Sequence, residues 1–452
     1  MNPAISLRSL SKFCLVSGAI ATTTLFSSVL PIFSSAANAA FHDSPKAVLD
    51  EAWQIVNQEY VDDTYNHIDW QTVRQTLLGQ DYASSEQAYA ALRQALRQLN
   101  DPYTRFLDPQ QYAELTDQTS GEVSGVGLKL QRDEAARKIV VVEALPDSPA
   151  ARAGIEAGDQ ILMVDGQSAD LMSVEAVSQL IRGEEGSQVT LTVAGRAGQG
   201  RRQTIILTRA LIEVETVQYA LKAENDTRIG YIYLSEFNAH ATEQMQEAIA
   251  QLEQEGVEAF VLDLRGNPGG LLLSSIEIGR MWLQRGSIVR TVDRFGNDDE
   301  ISANRTALTA LPLAVLVDNR SASSSEILTG ALQDNGRATV VGTTTFGKAL
   351  VQQLHALSDG SGIAVTVAHY YTPNGTDISR KGITPDIEVD LTANQVRQLR
   401  ANPDLLATTS DPQYARAIAV LSETVLVNRR QNQPNQPTLL ETANPSQLGR
   451  GI

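Results

Sequence analysis

Cysteine is almost missing from this chain of 452 residues. The one present, Cys14, lies in an N-terminal segment with the marks of a removable signal, so the mature protein has no thiol for a nucleophile, a disulfide framework or a thiolate metal site. Histidine is scarce as well. His42, His67, His240, His355 and His369 fall in no triad signature and show no metal-ligand spacing such as H-E-x-x-H, so neither a metal nor another cofactor is expected. Basic charge is short: 36 Lys and Arg stand against 53 Asp and Glu, a net charge of −17. With no basic patch to reverse that sign locally, nucleic acid and anionic membrane faces are disfavoured as main partners. Long apolar runs are wanting too, since the stretch FCLVSGAIATTTLF is short and broken by Ser and Thr, which argues against a membrane span.

That stretch follows Arg8 and Lys12 and leads to Ala37-Asn38-Ala39, a small-x-small cleavage pattern. Residues 1–39 are read as a secretory signal peptide, with the periplasm or a thylakoid lumen as destination and an uncleaved signal as the route to membrane association. Cleavage removes Arg8 and Lys12 and no acid, taking the charge to −19.

Residues 40–117 carry apolar side chains at helical spacing, as in AVLDEAWQIVNQEYV and SSEQAYAALRQALRQL, and end in LNDPYTRFLDP, where Pro102 and Pro109 punctuate the chain. Residues 118–209 change to short β-rich runs with one helix, SVEAVSQLIRG. Here GVGL at 125–128 and SPAARAGIEAGDQILMVDGQ at 148–167 resemble a PDZ domain of the bacterial protease type. The N–H groups around Gly127 and Leu128 would then receive a peptide carboxylate, beside a strand edge open to the peptide backbone. Residues 210–390 alternate strands and helices, an α/β layer pattern whose sites form beyond the strand ends, here at RGNPGG and NRSASS. A helical segment at 391–428 and a Gln-, Asn- and Pro-rich, disordered tail at 429–452 complete the expected order.

SASSSEILTG, residues 321–330, places four serines before an apolar helix. Ser323-x-x-Glu326 is a capping box and needs no catalytic explanation. A helix N-terminus also favours developing negative charge, so a cap and a nucleophile are compatible. A serine nucleophile still needs a base. Lysine can serve if a dry pocket keeps it neutral; between Arg228 and Asp390 only Lys348 and Lys381 occur, and Lys348 is flanked by Phe346, Gly347, Ala349, Leu350 and Val351.

Ser323-Ser-Ser-Glu326-Ile, Phe346-Gly347-Lys348 and Gln352, with LDLRGNPGGLL at 262–272, ALQDNGRA at 331–338 and HYYTPNGTDISRKGITPDI at 369–387, resemble the C-terminal processing peptidases, serine endopeptidases with a Ser–Lys dyad, and most of all those of oxygenic photosynthetic bacteria. Ser324 and Gly266 depart from the usual family residues, which keeps Ser321, Ser324 and Ser325 in view as alternatives to Ser323. The resemblance implies a multidomain α/β plus β fold: a crotonase/ClpP-like α/β peptidase core with an inserted PDZ-like barrel module and a helical N-terminal region. It implies Ser323 as nucleophile, Lys348 as base, Gln352 as the holder of the lysine amine, and an oxyanion hole at Gly269 or Gly270. The partners it implies are protein substrates with apolar C-terminal tails, bound by a module that could also block the site; an adaptor or activator protein and a homo-oligomer are compatible with it. Two competing readings are a non-catalytic exported PDZ adaptor and a hydrolase of small acyl esters.

Overall fold

The strand Ala259–Asp263 is buried along its whole length, as is Leu313–Val317, which is what a sheet covered on both faces requires of its central strands. They lie in the middle of a six-stranded sheet ordered Val217–Glu224, Thr227–Leu234, Ala259–Asp263, Leu313–Val317, Thr339–Gly342 and Ile387–Glu388. Every pairing but the first is parallel. On one face pack the helices Ala241–Gln254, Leu272–Trp282 and Ser324–Asp334, around Met245, Trp282 and Leu328. The helix Pro412–Asn432 covers the other through Tyr414, Ile418 and Leu421. Beneath the strand ends, buried Arg265 is clasped by Asp263 and Asp411 at 2.5 and 2.8 Å, fastening that helix to the loop that begins at Arg265.

This computed structural model describes residues 45–133, 136–195, 202–224 and 226–432. The expected signal segment and the tail from residue 433 lie outside the described residues. Residues 429–432, expected at the start of a disordered tail, instead form the last turn of the C-terminal helix. Arg429 holds that turn, donating to Glu258 at 3.1 Å and to the Asp226 carbonyl at 3.0 Å.

A second, antiparallel sheet runs Arg105–Leu107, Gly362–Tyr371, Ser287–Asp293, Asp298–Ser302, with Leu350–Ala356 paired to Gly362–Tyr371. Its first strand belongs to the N-terminal region. There the helices Pro45–Glu59, Trp70–Gly79 and Ser85–Arg97 enclose Trp53, Trp70 and Leu92, and Phe106 carries the same cluster onto Ile363 and Val365 of the sheet.

The PDZ-like module has a core of its own around Ile139, Val164, Val177 and Leu191. Its sheet is ordered Leu128–Asp133, Lys138–Ala144, Gln160–Val164, Gln188–Ala194, Gln203–Thr208, which leaves Leu128–Asp133 at an edge. The chain enters through Glu122–Gly125 and leaves through Ala210–Glu213, and these two short strands pair with each other as an antiparallel ribbon. Among the described residues no helix is long and apolar enough to cross a membrane.

Candidate active site

The four serines separate into two kinds. Ser321, Ser324 and Ser325 are buried, and each donates its hydroxyl to a main-chain carbonyl: Leu264 at 2.8 Å, Gly270 at 2.9 Å and Asn267 at 3.0 Å. They lock the serine loop to the glycine loop. Ser323 is only half-buried, and its hydroxyl, unlike theirs, is not bonded to the glycine loop. Its backbone sits at φ 54 and ψ −115, a conformation that costs a non-glycine residue about 1–3 kcal/mol. Of the capping box, Glu326 supplies the return arm, accepting the Ser323 N–H at 2.9 Å. The Glu326 N–H meets the Ser323 carbonyl at 2.8 Å.

Glu326 does more than cap. Its fully buried carboxylate also accepts the Thr345 hydroxyl and the Gly347 N–H, both at 2.6 Å, and the Lys348 N–H at 2.9 Å. Ser323 and Lys348 are thereby fastened to the same oxygen, Oε2. Burial pushes the Glu326 carboxyl up, against the pull of those four donors. Hydrogen bonds to a charged group contribute about 1.5–3 kcal/mol each, so four of them outweigh the strain at Ser323. From the second sheet, Tyr370 reaches both residues again, its hydroxyl bonding the carbonyls of Lys348 and, at 3.2 Å, Ser323.

The Lys348 ammonium lies 4.8 Å from the centre of the Tyr103 ring. Burial lowers its pKa and nearby Arg105 lowers it further, while Asp101 and Glu326 act in the opposite sense. Gln352 stands on the strand that follows Lys348, its Nε2 3.4 Å from Thr366 Oγ1 on the neighbouring strand. Thr366 in turn donates to Asp101 at 2.7 Å. Asp101, Tyr103, Arg105, Thr366 and Tyr370 were not foreseen. The first three lie in LNDPYTRF, read only as chain punctuation, and the one signal available was the density of Asp, Tyr, Thr and Arg in so short a turn.

The two candidate glycines differ. The Gly269 N–H is already donated to Asn267 Oδ1 at 2.8 Å, and the residue is buried. A side chain there would meet Ser323 Cβ at 2.8 Å and the Ala322 carbonyl at 2.7 Å, at a φ of 105 that L-residues avoid. Gly270 is exposed. In its parallel bridge to Phe237, the Phe237 N–H donates to the Gly269 carbonyl and the Phe237 carbonyl accepts the Leu271 N–H. The Gly270 carbonyl accepts the Ser324 hydroxyl.

Ser323 and Lys348 are thus brought together on Glu326 and Tyr370, with Gly269 against Ser323 and Gly270 against Ser324, whereas Gly127 and Leu128 lie in the PDZ-like module beyond the ribbon. Gly127 is buried with φ 77, and a Cβ on it would come within 2.2 Å of Ser148 Cβ. Leu128 opens the edge strand and packs against the module's core. Among the described residues no cluster of His, Cys, Asp and Glu could hold a metal. His355 is tied to Glu59 at 2.8 Å.

Residues 228–389 match Peptidase family S41, and residues 140–195 match the PDZ domain. A carboxyl-terminal-processing protease of Picosynechococcus sp. is 44% identical over 384 residues, 85% of this chain and 91% of the relative. The chain belongs to peptidase family S41. This S41 peptidase is also 39% identical to the chloroplastic C-terminal processing peptidase of Tetradesmus obliquus, over 75% of this chain and 76% of that one. A solved structure of a photosystem II D1 C-terminal processing protease is 37% identical and covers 82% of this chain and 99% of its own, with a TM-score of 0.52. The family makes the chain a serine-type peptidase, and the adaptor and small-ester readings give way to it.

Proposed function

We propose that this S41 peptidase is exported and cleaves protein substrates that end in apolar tails, with Ser323 as nucleophile and Lys348 as its base. The observation that carries the reading is the union, through Glu326, of the one serine of four left half-exposed and unbonded to the glycine loop with a lysine whose pKa is lowered by burial. A neutral Lys348 amine takes the proton as Ser323 Oγ attacks the scissile carbonyl, and returns it to the leaving amine. Water then opens the acyl-enzyme with the same lysine as base. Gln352 holds the amine in place. The oxyanion is held by the N–H of Gly270 and that of Ser324, at the N-terminus of the serine helix; Gly269, whose N–H is engaged, serves by its lack of a side chain.

Leu273 and Phe346, exposed apolar side chains beside the glycine loop and the lysine, suit an apolar substrate. The open edge Leu128–Asp133 suits addition of the tail as a further strand, its carboxylate received at Gly127 and Leu128. Relatives of cyanobacterial and chloroplastic origin support a periplasmic or thylakoid-lumen location. The test is cleavage of an unstructured protein with an apolar C-terminus by the mature chain, Ser323→Ala and Lys348→Ala, with folding checked by circular dichroism. Both variants are expected to be folded and inactive; undiminished cutting by folded Ser323→Ala would overturn the assignment.

A further inference from the structure

The chain of contacts behind Gln352 fixes more than its position. Thr366, fully buried, has one hydroxyl proton. An ionised carboxylate accepts hydrogen bonds and donates none, so that proton points to Asp101 Oδ2 at 2.7 Å. Thr366 can then only accept from its other neighbour, and the Gln352 amide must present its nitrogen, at 3.4 Å. The Gln352 carbonyl oxygen is left at the other end of the amide. That matters for a neutral lysine acting as base: its lone pair faces the serine, and its N–H groups need acceptors. A Gln352 turned the other way would offer it N–H against N–H.

Asp101 is itself held rigidly. Its Oδ1 accepts the Tyr103 N–H at 2.9 Å, and its Oδ2 accepts the Thr104 hydroxyl at 2.7 Å. The Thr104 hydroxyl oxygen takes the Thr366 N–H at 3.0 Å, closing the turn onto the second sheet.

We infer that Asp101, supplied by the helical N-terminal region, is a positioning residue that acts through Thr366 to set which end of the Gln352 amide faces Lys348. The inference rests on the Ser323–Lys348–Gln352 reading above. Its test is a double-mutant cycle on kcat, using the mature chain and an unstructured protein with an apolar C-terminus. Thr366→Val removes the hydroxyl at nearly constant volume and is expected to lower kcat by about tenfold to a hundredfold with KM little changed, the scale of a small misplacement at a reacting centre. Thr366→Ser restores the hydroxyl and is expected to stay within about threefold of the unmodified enzyme. In a Gln352→Ala background Thr366→Val should have no further effect, because the amide it orients is gone. Multiplying losses in the double variant, or unchanged kcat in Thr366→Val, overturns the inference. If Thr366→Val does not fold, Asp101→Asn with Gln352→Ala gives the same cycle. Lys348→Ala separates the two levels: activity in that variant sinks the dyad itself, whereas an inactive Lys348→Ala beside an additive cycle sinks only the relay.

Discussion

Ser323 holds a backbone conformation that glycine adopts without strain, at φ 54. Ser323→Gly should therefore be more stable than Ser323→Ala by about 1 kcal/mol in urea unfolding, both being inactive; equal stabilities would show that the strain is relaxed in solution. Lys348 carries the pH dependence. Its pKa is below the ordinary 10.5 in the fold, so between that lowered value and 10.5 the unfolded chain binds the extra proton and stability rises with pH. Below that window the buried ammonium weakens the fold in full. Lys348→Met should raise the thermal midpoint at neutral pH and raise it less as pH nears 10.5, while kcat/KM of the unmodified enzyme climbs through the lowered pKa. A gain that does not shrink with pH would place its origin elsewhere. Glu326→Gln would set an amide NH2 against backbone N–H donors; a loss of about 1–3 kcal/mol in urea unfolding is expected from the acceptors removed, with kcat reduced alongside. At this scale the sequence disclosed the cap formed by Glu326 but not its second partner. The contact with Lys348 joins residues 22 apart through a tertiary fold, and no local spacing encodes that.

Among the elements, the buried parallel strands were the most legible, since AFVL and LAVLV are apolar throughout. Val217–Glu224 went unread because, as an edge strand, it is largely exposed and shows no apolar run. Arg105–Leu107 is three residues long and pairs with residues 362–364, a partnership beyond any periodicity. The ribbon Glu122–Gly125 with Ala210–Glu213 offers a clean excision point, because the module it carries has a separate core. Replacing residues 126–209 by a short Gly-Ser turn should leave the core folded. The ratio of kcat/KM for a peptide with a free C-terminal carboxylate to that for its amide should then fall toward one, as measured by chromatography of the products. A ratio as high as that of the intact enzyme would remove tail recognition from the PDZ-like module.

For the whole molecule, the two flanking regions have opposite standing. The N-terminal helices share a single cluster with the second sheet, Phe106 lying against Ile363 and Val365, and they supply Asp101, Tyr103 and Arg105 to the lysine pocket. Removing them should abolish soluble expression or near-ultraviolet circular dichroism, where removal of the module does not; a folded, active enzyme lacking residues 45–107 would contradict this. The groups around Ser323 and Lys348 thus come from four stretches, 101–105, 264–270, 323–326 and 345–370, joined only by long-range packing. Such contacts form late, because distant loops must close before they gain anything. A nascent or unravelled chain has a serine without a base, and a lysine in water keeps its proton. On the proposed dyad, proteolytic power is therefore a property of completed folding alone, a safety catch that keeps unfinished copies from cutting their surroundings and disarms any molecule that comes apart.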